Sequence, residues 1–185
     1  MRGLGQRLGV EAMSLYNHVA NKDDILGAIV DVVVEDIDQP FDPGAWKAAL
    51  RRGSISAHEV LLRHPWAAPL LLSGPSVSFA RLRHMNAILG NLRGAGFSAE
   101  LTDHAYHALD SHVMGFTLWA VGISAGLSRL GSVESFLETL PVADYPHLAE
   151  HIEQHLKPAD PEAGTEFEFG LDLILDGLER MLPRA

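Results

Sequence analysis

Hydrophobic residues recur along most of the chain at the three- and four-residue spacing that is typical of amphipathic helices. The pattern predicts helices over residues 1–8, 21–38, 45–63, 66–72, 76–94, 98–127, 133–140, 146–156 and 166–182, with a short one inside 8–22. Asn21 and Asp42 are good N-caps, while Gln39-Pro40 and the glycines around Ala95 end helices. The predicted fold class is all-α.

The stretch from Leu8 to Lys22 separates an apolar face from a polar one. Its apolar residues are Leu8, Ala12, Leu15 and Val19, and its polar residues include Ser14, Tyr16, Asn17, His18 and Lys22. Gly9 lies between two short helical patterns, where a tight turn favours glycine, as in a helix-turn-helix. The second helix could read DNA bases, although a short amphipathic helix of this kind is also common on ordinary protein surfaces.

Two predicted helices carry more apolar surface than one chain usually covers. The second half of 98–127 is apolar almost all round, and glycines at 115, 122 and 126 leave room for close backbone approach. The last helix places apolar residues at alternating steps of four and three, which favours a partner helix. These residues are Phe167, Leu171, Ile174, Leu178 and Met181.

For nucleic-acid binding, the distribution of charge along the chain is more informative than the net charge. The net charge is −10, which alone argues against nucleic acid. Residues 1–22, however, contain Arg2, Arg7 and Lys22 against Glu11 only, a net charge of +2, so the remaining residues carry −12. The end that contains the candidate reading helix is therefore the basic one.

Composition also bears on the cellular compartment of the protein and on membrane association. The chain has no cysteine, which excludes disulfides and thiolate metal sites and fits a reducing cytoplasm. No secretory leader opens it, and the nearly apolar run Val113–Leu127 is shorter than the roughly 20 residues that a membrane span needs. We expect a cytoplasmic protein with a buried helix there and no membrane partner.

Motifs at both ends resemble the tetracycline repressor (TetR) family. At the N-terminus these are Leu8-Gly9-Val10, Leu15-Tyr16, His18-Val19, Asn21-Lys22 and Ile25-Leu26; further on they are Gly96-Phe97-Ser98, Gly115-Phe116-Thr117-Leu118, Phe167 to Leu171 and Asp176 to Glu179. The resemblance covers essentially the whole chain. It implies a DNA-binding and linker region over 1–38 and a ligand-binding and dimerisation domain over 39–185.

The resemblance also implies site residues. Bases would be contacted by Arg2, Ala12, Met13, Ser14 and Tyr16, and phosphates by Asn17, His18 and Lys22. Ala12 and Met13 depart from the tetracycline repressor and cannot form bidentate hydrogen bonds to bases, so we expect a different operator. The family's dimer bundle would use Phe116, Trp119 and Ile123 together with the seam of the last helix, and a twofold dimer would favour a palindromic operator.

For the effector, the resemblance implies a departure from tetracycline. The family's magnesium-binding histidine position corresponds to Leu71 here, and two polar drug-contacting positions correspond to Gly53 and Ile88. We therefore expect an unknown small apolar effector. Its candidate contacts are Asp38, Ala57, Leu71, Met85, Leu89, His112 and Phe116, and core packing explains the apolar ones equally well.

Ten histidines raise the question of a metal. His147, His151 and His155 recur every four residues, and His104 and His107 lie near Asp110 and His112. Solvated or pocket-rim histidines explain the same spacing, because Leu148, Ile152 and Leu156 form the adjacent stripe. We expect no metal and no cofactor.

The sequence as a whole predicts a ligand-responsive, dimeric transcriptional regulator, in the form of a repressor of a palindromic operator. The alternative is a small-molecule-binding dimer without a competent DNA reader, because the helix that precedes this point in the family is absent; we expect the N-terminus to be incomplete. An enzyme is not expected, since no set of nucleophile, base and oxyanion donors is recognisable.

Overall fold

The computed structural model describes residues 2–15, 19, 21–73, 79–130, 141, 144–156 and 164–182. Over these residues it confirms the all-α fold class and contains no strand. The helices are α1 (Arg2–Leu8), α2 (Ala12–Leu15), α3 (Lys22–Glu35), α4 (Trp46–Arg63), α5 (Ala67–Ser73), α6 (Phe79–Gly94), α7 (Ala99–Leu130), α8 (Pro146–Leu156) and α9 (Glu166–Met181), with a 3-10 turn at Pro43–Ala45 before α4.

Side-chain caps set where several helices begin. The Asn21 side chain accepts hydrogen bonds from the backbone amides of Asp23 and Asp24 at 2.8 and 2.9 Å. The Asp42 carboxylate accepts one from Ala45 at 3.1 Å, directly before Pro43. At α9, Thr165 and Glu168 form a reciprocal capping box. Each cap satisfies amides that the helix leaves unpaired, so the predicted starts are confirmed to within a residue or two.

Helix ends differ more from the sequence prediction than helix starts do. The predicted helix 21–38 stops at Glu35, because Asp38 leaves the helical path and its amide donates to the Ser56 hydroxyl at 2.9 Å. The central helix continues to Leu130 instead of ending at Leu127. The predicted helix over 133–140 and most of the linker over 157–164 lie outside the described residues.

The core lies where α4, α6, α7 and α9 meet. Its most deeply buried large side chains include Leu61, Leu92, Phe97, Leu109, Phe167, Leu171 and Leu175. The ring of Phe97 meets that of Trp46 edge-on, with centroids 5.0 Å apart. Because full burial of a Leu or Phe side chain contributes about 1.5–3 kcal/mol, this cluster supplies the main driving force for packing the helices together.

Two ion-pair clusters join α4 to α9. Lys47 Nζ lies 2.7 Å from Asp176 and 2.6 Å from Glu179, and these hydrogen bonds raise the pKa of Lys47 and lower that of Asp176. Arg51 lies 2.7 Å from Asp172 and 3.0 Å from Glu168. These pairs are partly exposed, so they contribute to the rotational setting of α9 more than to stability.

The rotational setting of α9 corrects the predicted dimer seam. Phe167, Leu171 and Leu178 are buried in the core of their own chain, because the face they share packs against α4 and α7. They are therefore not available to a partner helix, and Ile174 is half-buried. The exposed apolar side chains of α9 are Phe169 (69%), Leu173 (57%) and Met181 (62%).

An exposed apolar stripe also follows the second half of α7. Trp119 and Ile123 remain about half exposed, and nothing lies within 4 Å of the positions where Gly115, Gly122 and Gly126 would carry a Cβ. We call this stripe, together with Phe169, Leu173 and Met181 of α9, the open apolar face. Among the described helices, none combines the length and the apolar character that a bilayer span requires.

Candidate functional site

The candidate reading region is built from a tight turn between α1 and α2. Gly9 adopts a φ of +68°, a left-handed conformation that favours glycine, and the amide of Val10 donates to the Gly5 carbonyl at 3.0 Å. Met13 is 71% exposed, and Ser14 and Lys22 are exposed as well. After this turn, Met13 and Ser14 of α2 are exposed to solvent.

The remaining predicted DNA contacts lie outside what the structure describes. Tyr16, Asn17 and His18 are not among the described residues, and neither are the side chains of Arg2 and Ala12. For these five residues the contact assignment stays a prediction.

Two small adjoining cavities lie between the end of α3 and helices α4 to α7. Each has a volume of about 40 Å³. The first, cavity A, extends toward the segment after α3, and the second, cavity B, extends toward α5. The wall between them is formed by residues that line both, namely Ala57, His84, Asp110 and Val113. The cavities are therefore two parts of one internal site.

The rest of the lining is mostly apolar. Cavity A is completed by Asp38, Gln39, Pro40, Ala49, Leu50, Gly53, Ser54, Ala87, Ile88, Asn91 and Leu109. Cavity B is completed by Val34, Ile37, Leu61, Leu71, Arg81, Tyr106 and Met114. Apolar walls with a few polar groups are typical of small-molecule sites.

The charged groups of this lining are paired. Arg52 lies 3.1 Å from the Asp38 carboxylate, and Arg81 lies 4.0 Å from Asp110. Burial raises the pKa of Tyr106 above its ordinary value of 10.0, so the phenol, already protonated at neutral pH, remains so at still higher pH. The site consequently presents two compensated carboxylates and a neutral phenol.

His84 contributes a buried polar atom to the wall that the two cavities share. Its Nδ1 is buried and has no hydrogen-bond partner among the described residues. Burial lowers the pKa of His84, and the nearby Asp110 opposes that shift only in part. A neutral imidazole in the wall between the two cavities leaves one ring nitrogen free to bond to an occupant.

Helix α6 connects this site to α3 at both of its ends. Buried Asn91 accepts a hydrogen bond from the Asp42 amide at 2.8 Å and donates to the Pro40 carbonyl at 2.8 Å. Nearer the start of α6, Arg83 pairs with Glu35 at 2.8 Å. The segment that leaves α3 is thus fixed to a helix whose other residues line the cavities.

Three of the predicted effector contacts line the cavities, namely Asp38, Ala57 and Leu71. So do Gly53 and Ile88, at the positions that the resemblance associates with drug contacts. Met85 and Leu89 are half-buried on α6 but line neither cavity. Whether any of these side chains contacts an effector stays a prediction.

The other two predicted contacts, His112 and Phe116, belong to an aromatic cluster around Phe167. The Phe167 ring stacks between His58, at a centroid distance of 4.0 Å, and His112, at 4.9 Å. The Thr117 hydroxyl donates to the Val113 carbonyl, so the His58 Nδ1–H donates to Thr117 at 2.8 Å. Burial lowers the pKa of His58. This cluster anchors α9 to α4 and α7.

Sequence reasoning did not single out His84, Asn91, Arg81 or Tyr106 as parts of the site. Each is a single polar residue on a helix without a motif around it, and only the packing of α6 against α3 and α7 brings them together. Of the polar residues that line the cavities and were missed as effector contacts, only Asp110 belonged to a candidate site in the sequence, as part of the candidate metal cluster with His104, His107 and His112.

The histidine spacings do not form a metal site in the part of the chain that the structure describes. His104 and His107 are exposed, and His107 lies 3.6 Å from Asp103. His147 and His151 are exposed on α8, and the side chain of His155 lies outside the described residues.

Comparison with known proteins places this geometry in context. Residues 39–182 match the model of the tetracycline repressor-like C-terminal domain. An HTH-type transcriptional regulator of Saccharopolyspora erythraea is 30% identical over 96% of this chain and 75% of its own length. The HTH-type transcriptional repressor DrrR1 of Streptomyces coeruleorubidus is 28% identical over 97% of this chain and 69% of its own length.

A similar solved structure carries a ligand. The structure of the Streptomyces coelicolor TetR family protein ActR in complex with actinorhodin superposes with a TM-score of 0.73 and 25% identity, covering all of this chain and 88% of that one.

Proposed function

Because the chain belongs to the tetracycline repressor (TetR) family of transcriptional regulators, we propose that it is a homodimeric repressor of a palindromic operator that a small apolar molecule releases from DNA. The observation that carries this proposal is that the last turn of α3 and the segment after it form part of the cavity wall. A molecule in the cavities would therefore contact the C-terminal end of α3, the helix that directly follows the reading helix α2.

The reader side of the proposal rests on α2 and the start of α3. Exposed Met13, Ser14 and Lys22 fall at positions that contact bases and phosphates in the family. Met13 can touch a thymine methyl, and Lys22 can approach a phosphate without base specificity. The +2 charge of residues 1–22 supports an approach to DNA with this end first.

The size of the cavities bears on how an effector would bind. ActR was solved with actinorhodin bound, and by analogy we infer a small-molecule effector for this chain. Cavities of about 40 Å³ are far below the roughly 300–1,000 Å³ of ligand sites. Binding must therefore enlarge the site and displace its walls, which include Val34 in the last turn of α3 and Ile37 just after it.

The contacts of α6 provide a way for displacement of the cavity walls to reach the DNA-reading helix α2. Asn91 and Arg83 fix α6 to the segment after α3 and to α3 itself, so movement of α6 tilts α3 and with it the reading helix. Coupling free energies of about 1–3 kcal/mol are typical of such regulators and weaken DNA binding roughly five- to 150-fold.

The dimer rests on the open apolar face. The exposed side chains of α7 and α9 are adjacent to glycines that allow close helix approach. Burying this face against a second copy of the chain would cover it and give the twofold symmetry that a palindrome requires.

The test starts from DNA selected out of a random pool by the protein. Binding of the selected duplex is then followed by fluorescence anisotropy from low to moderate salt. We expect a palindromic consensus and an affinity that falls steeply with salt concentration. Recovery of no consensus, or of one half-site only, would instead support the alternative of a small-molecule-binding dimer that does not read DNA.

A further inference from the structure

His84 lies in the wall that the two cavities share. It lines both cavity A and cavity B, together with Ala57, Asp110 and Val113. A molecule that occupies both cavities would displace part of this shared wall. Such a molecule would lie next to His84.

The chemistry of the wall restricts what such a molecule offers to His84. The buried Nδ1 has no hydrogen-bond partner among the described residues, and a buried polar atom of this kind gains when an occupant bonds to it. A neutral imidazole has one nitrogen that donates and one that accepts, and which of them is Nδ1 depends on the tautomer. A hydroxyl group complements either tautomer, because it both donates and accepts.

The charges of the lining exclude strongly charged occupants. Asp38 and Asp110 are already compensated by Arg52 and Arg81, and the remaining wall is largely apolar. An added anion would lie near Asp110, and an added cation would compete with the arginines. An uncharged molecule enters the site without leaving a buried charge unpaired.

We propose, as an extension of the proposed function, that His84 is the hydrogen-bonding anchor of the effector site and that the effector is an uncharged, mainly apolar molecule with a hydroxyl group. The hydroxyl bonds to His84 at the shared wall, and the apolar body fills the enlarged cavities on either side. Leu71 and Leu50, one on each side, provide apolar contact.

The experiment compares three probes that share one ring system, namely naphthalene, 2-naphthol and naphthalene-2-sulfonate. Their fluorescence reports binding to the full chain at neutral pH, where 2-naphthol is uncharged. We expect 2-naphthol to bind about tenfold more tightly than naphthalene, since satisfying a buried polar atom is worth roughly that factor. We expect naphthalene-2-sulfonate to bind most weakly.

The variant His84→Phe keeps a ring of similar size and removes both nitrogens. It should bind naphthalene with the affinity of the native chain, and its affinity for 2-naphthol should exceed that for naphthalene by less than about twofold. His104→Phe makes the same change at an exposed position of α7, and the preference should remain intact. A second readout is the methyl resonance of Met114, which lines cavity B and should shift on addition of 2-naphthol, while that of exposed Met13 should not.

Several results would overturn the proposal. They are equal binding of 2-naphthol and naphthalene, strongest binding of the sulfonate, failure of all three probes to bind, or a Met114 resonance that does not move. When His84→Phe does not fold, the Met114 resonance and the preference of the native chain for 2-naphthol over naphthalene still test the proposal. Operator binding measured on the same preparations without any probe tests the regulator function separately, so loss of one property does not imply loss of the other.

Discussion

Two partly buried histidines make the stability of the fold depend on pH. His58 stacks on Phe167 and donates to Thr117, and His84 lies in the wall between the cavities. Burial lowers the pKa of both imidazoles from the ordinary value of 6.5, because charging them costs hydration energy. The folded state therefore favours the neutral form of both imidazoles.

The first prediction follows from the sign of those shifts. As the pH falls through 6.5, the unfolded chain binds protons that the folded chain does not, so the free energy of unfolding decreases. Urea denaturation at about pH 7.5 and pH 5.5 measures the decrease. In His58→Phe, which retains a ring against Phe167, the decrease should be smaller, whereas exposed His104→Phe should match the native chain. A native stability that does not change with pH would contradict the assignment.

A second residue-scale prediction concerns the phosphate contact. Lys22→Ala should weaken operator binding by a similar factor for every operator sequence, because an ammonium on a phosphate carries no base information. The slope of log affinity against log salt concentration should become shallower by about one per chain. The matched control is Arg63→Ala, an exposed cation at the end of α4, which should leave the slope unchanged. An unchanged slope in Lys22→Ala would remove this residue from the interface.

At the scale of elements, α6 connects the wall of the cavities to α3 and to the segment after it. Its Asn91 bonds to two backbone groups of the segment after α3, and its Gly94 lies so close to Pro43 that an added Cβ would come within 2.7 Å of the proline Cβ. The helix and the segment therefore cannot separate without losing both contacts.

The third prediction tests this connection. Asn91→Ala leaves the Asp42 amide and the Pro40 carbonyl without their partner, and we expect a loss of about 1–3 kcal/mol in the free energy of unfolding. The factor by which an effector weakens operator binding should shrink as well. Asn86→Ala, at an exposed position of the same helix, is the control. A variant that loses stability but keeps the full effector response would show that coupling does not pass through Asn91.

Helix starts were predictable from the sequence, and the faces of the helices were less so. Asn21 and Asp42, both predicted as N-caps, act through atoms a few residues away, so local sequence determines them. Thr165 was not predicted as a cap, although its capping box is equally local. The last helix has two apolar stripes, one through Phe167 and Leu171 and one through Phe169 and Leu173. Periodicity cannot say which stripe meets the core, because that depends on α4 and α7. His84 was missed for the same reason, since its partners come from distant segments.

At the scale of the whole molecule, charge and apolar surface lie in different places. Residues 1–22 carry a net charge of +2 and the remainder −12. In the proposed function, repulsion from phosphate would orient the body of the protein away from DNA. The open apolar face lies on α7 and α9, which pack on the core through their opposite sides. A dimer formed through this face would leave the basic end of each chain free.

The fourth prediction concerns that face. Leu173→Glu places a carboxylate in the proposed interface, where burying an unpaired charge is costly, and we expect light scattering to show a monomer with much weaker operator binding. Leu62→Glu makes the same change at an exposed leucine of α4 and should remain dimeric. A Leu173→Glu protein that stays dimeric would place the interface elsewhere.

The central claim is that two chains present their reading helices to one face of DNA. The chain contains no cysteine, so Glu11→Cys, at an exposed position just before α2, attaches a single spin label to each chain. With the selected operator bound, double electron–electron resonance should give one narrow distance population near a turn of B-DNA, about 34–36 Å. Absence of dipolar coupling on the operator, or a broad distribution that the operator does not narrow, would contradict the account.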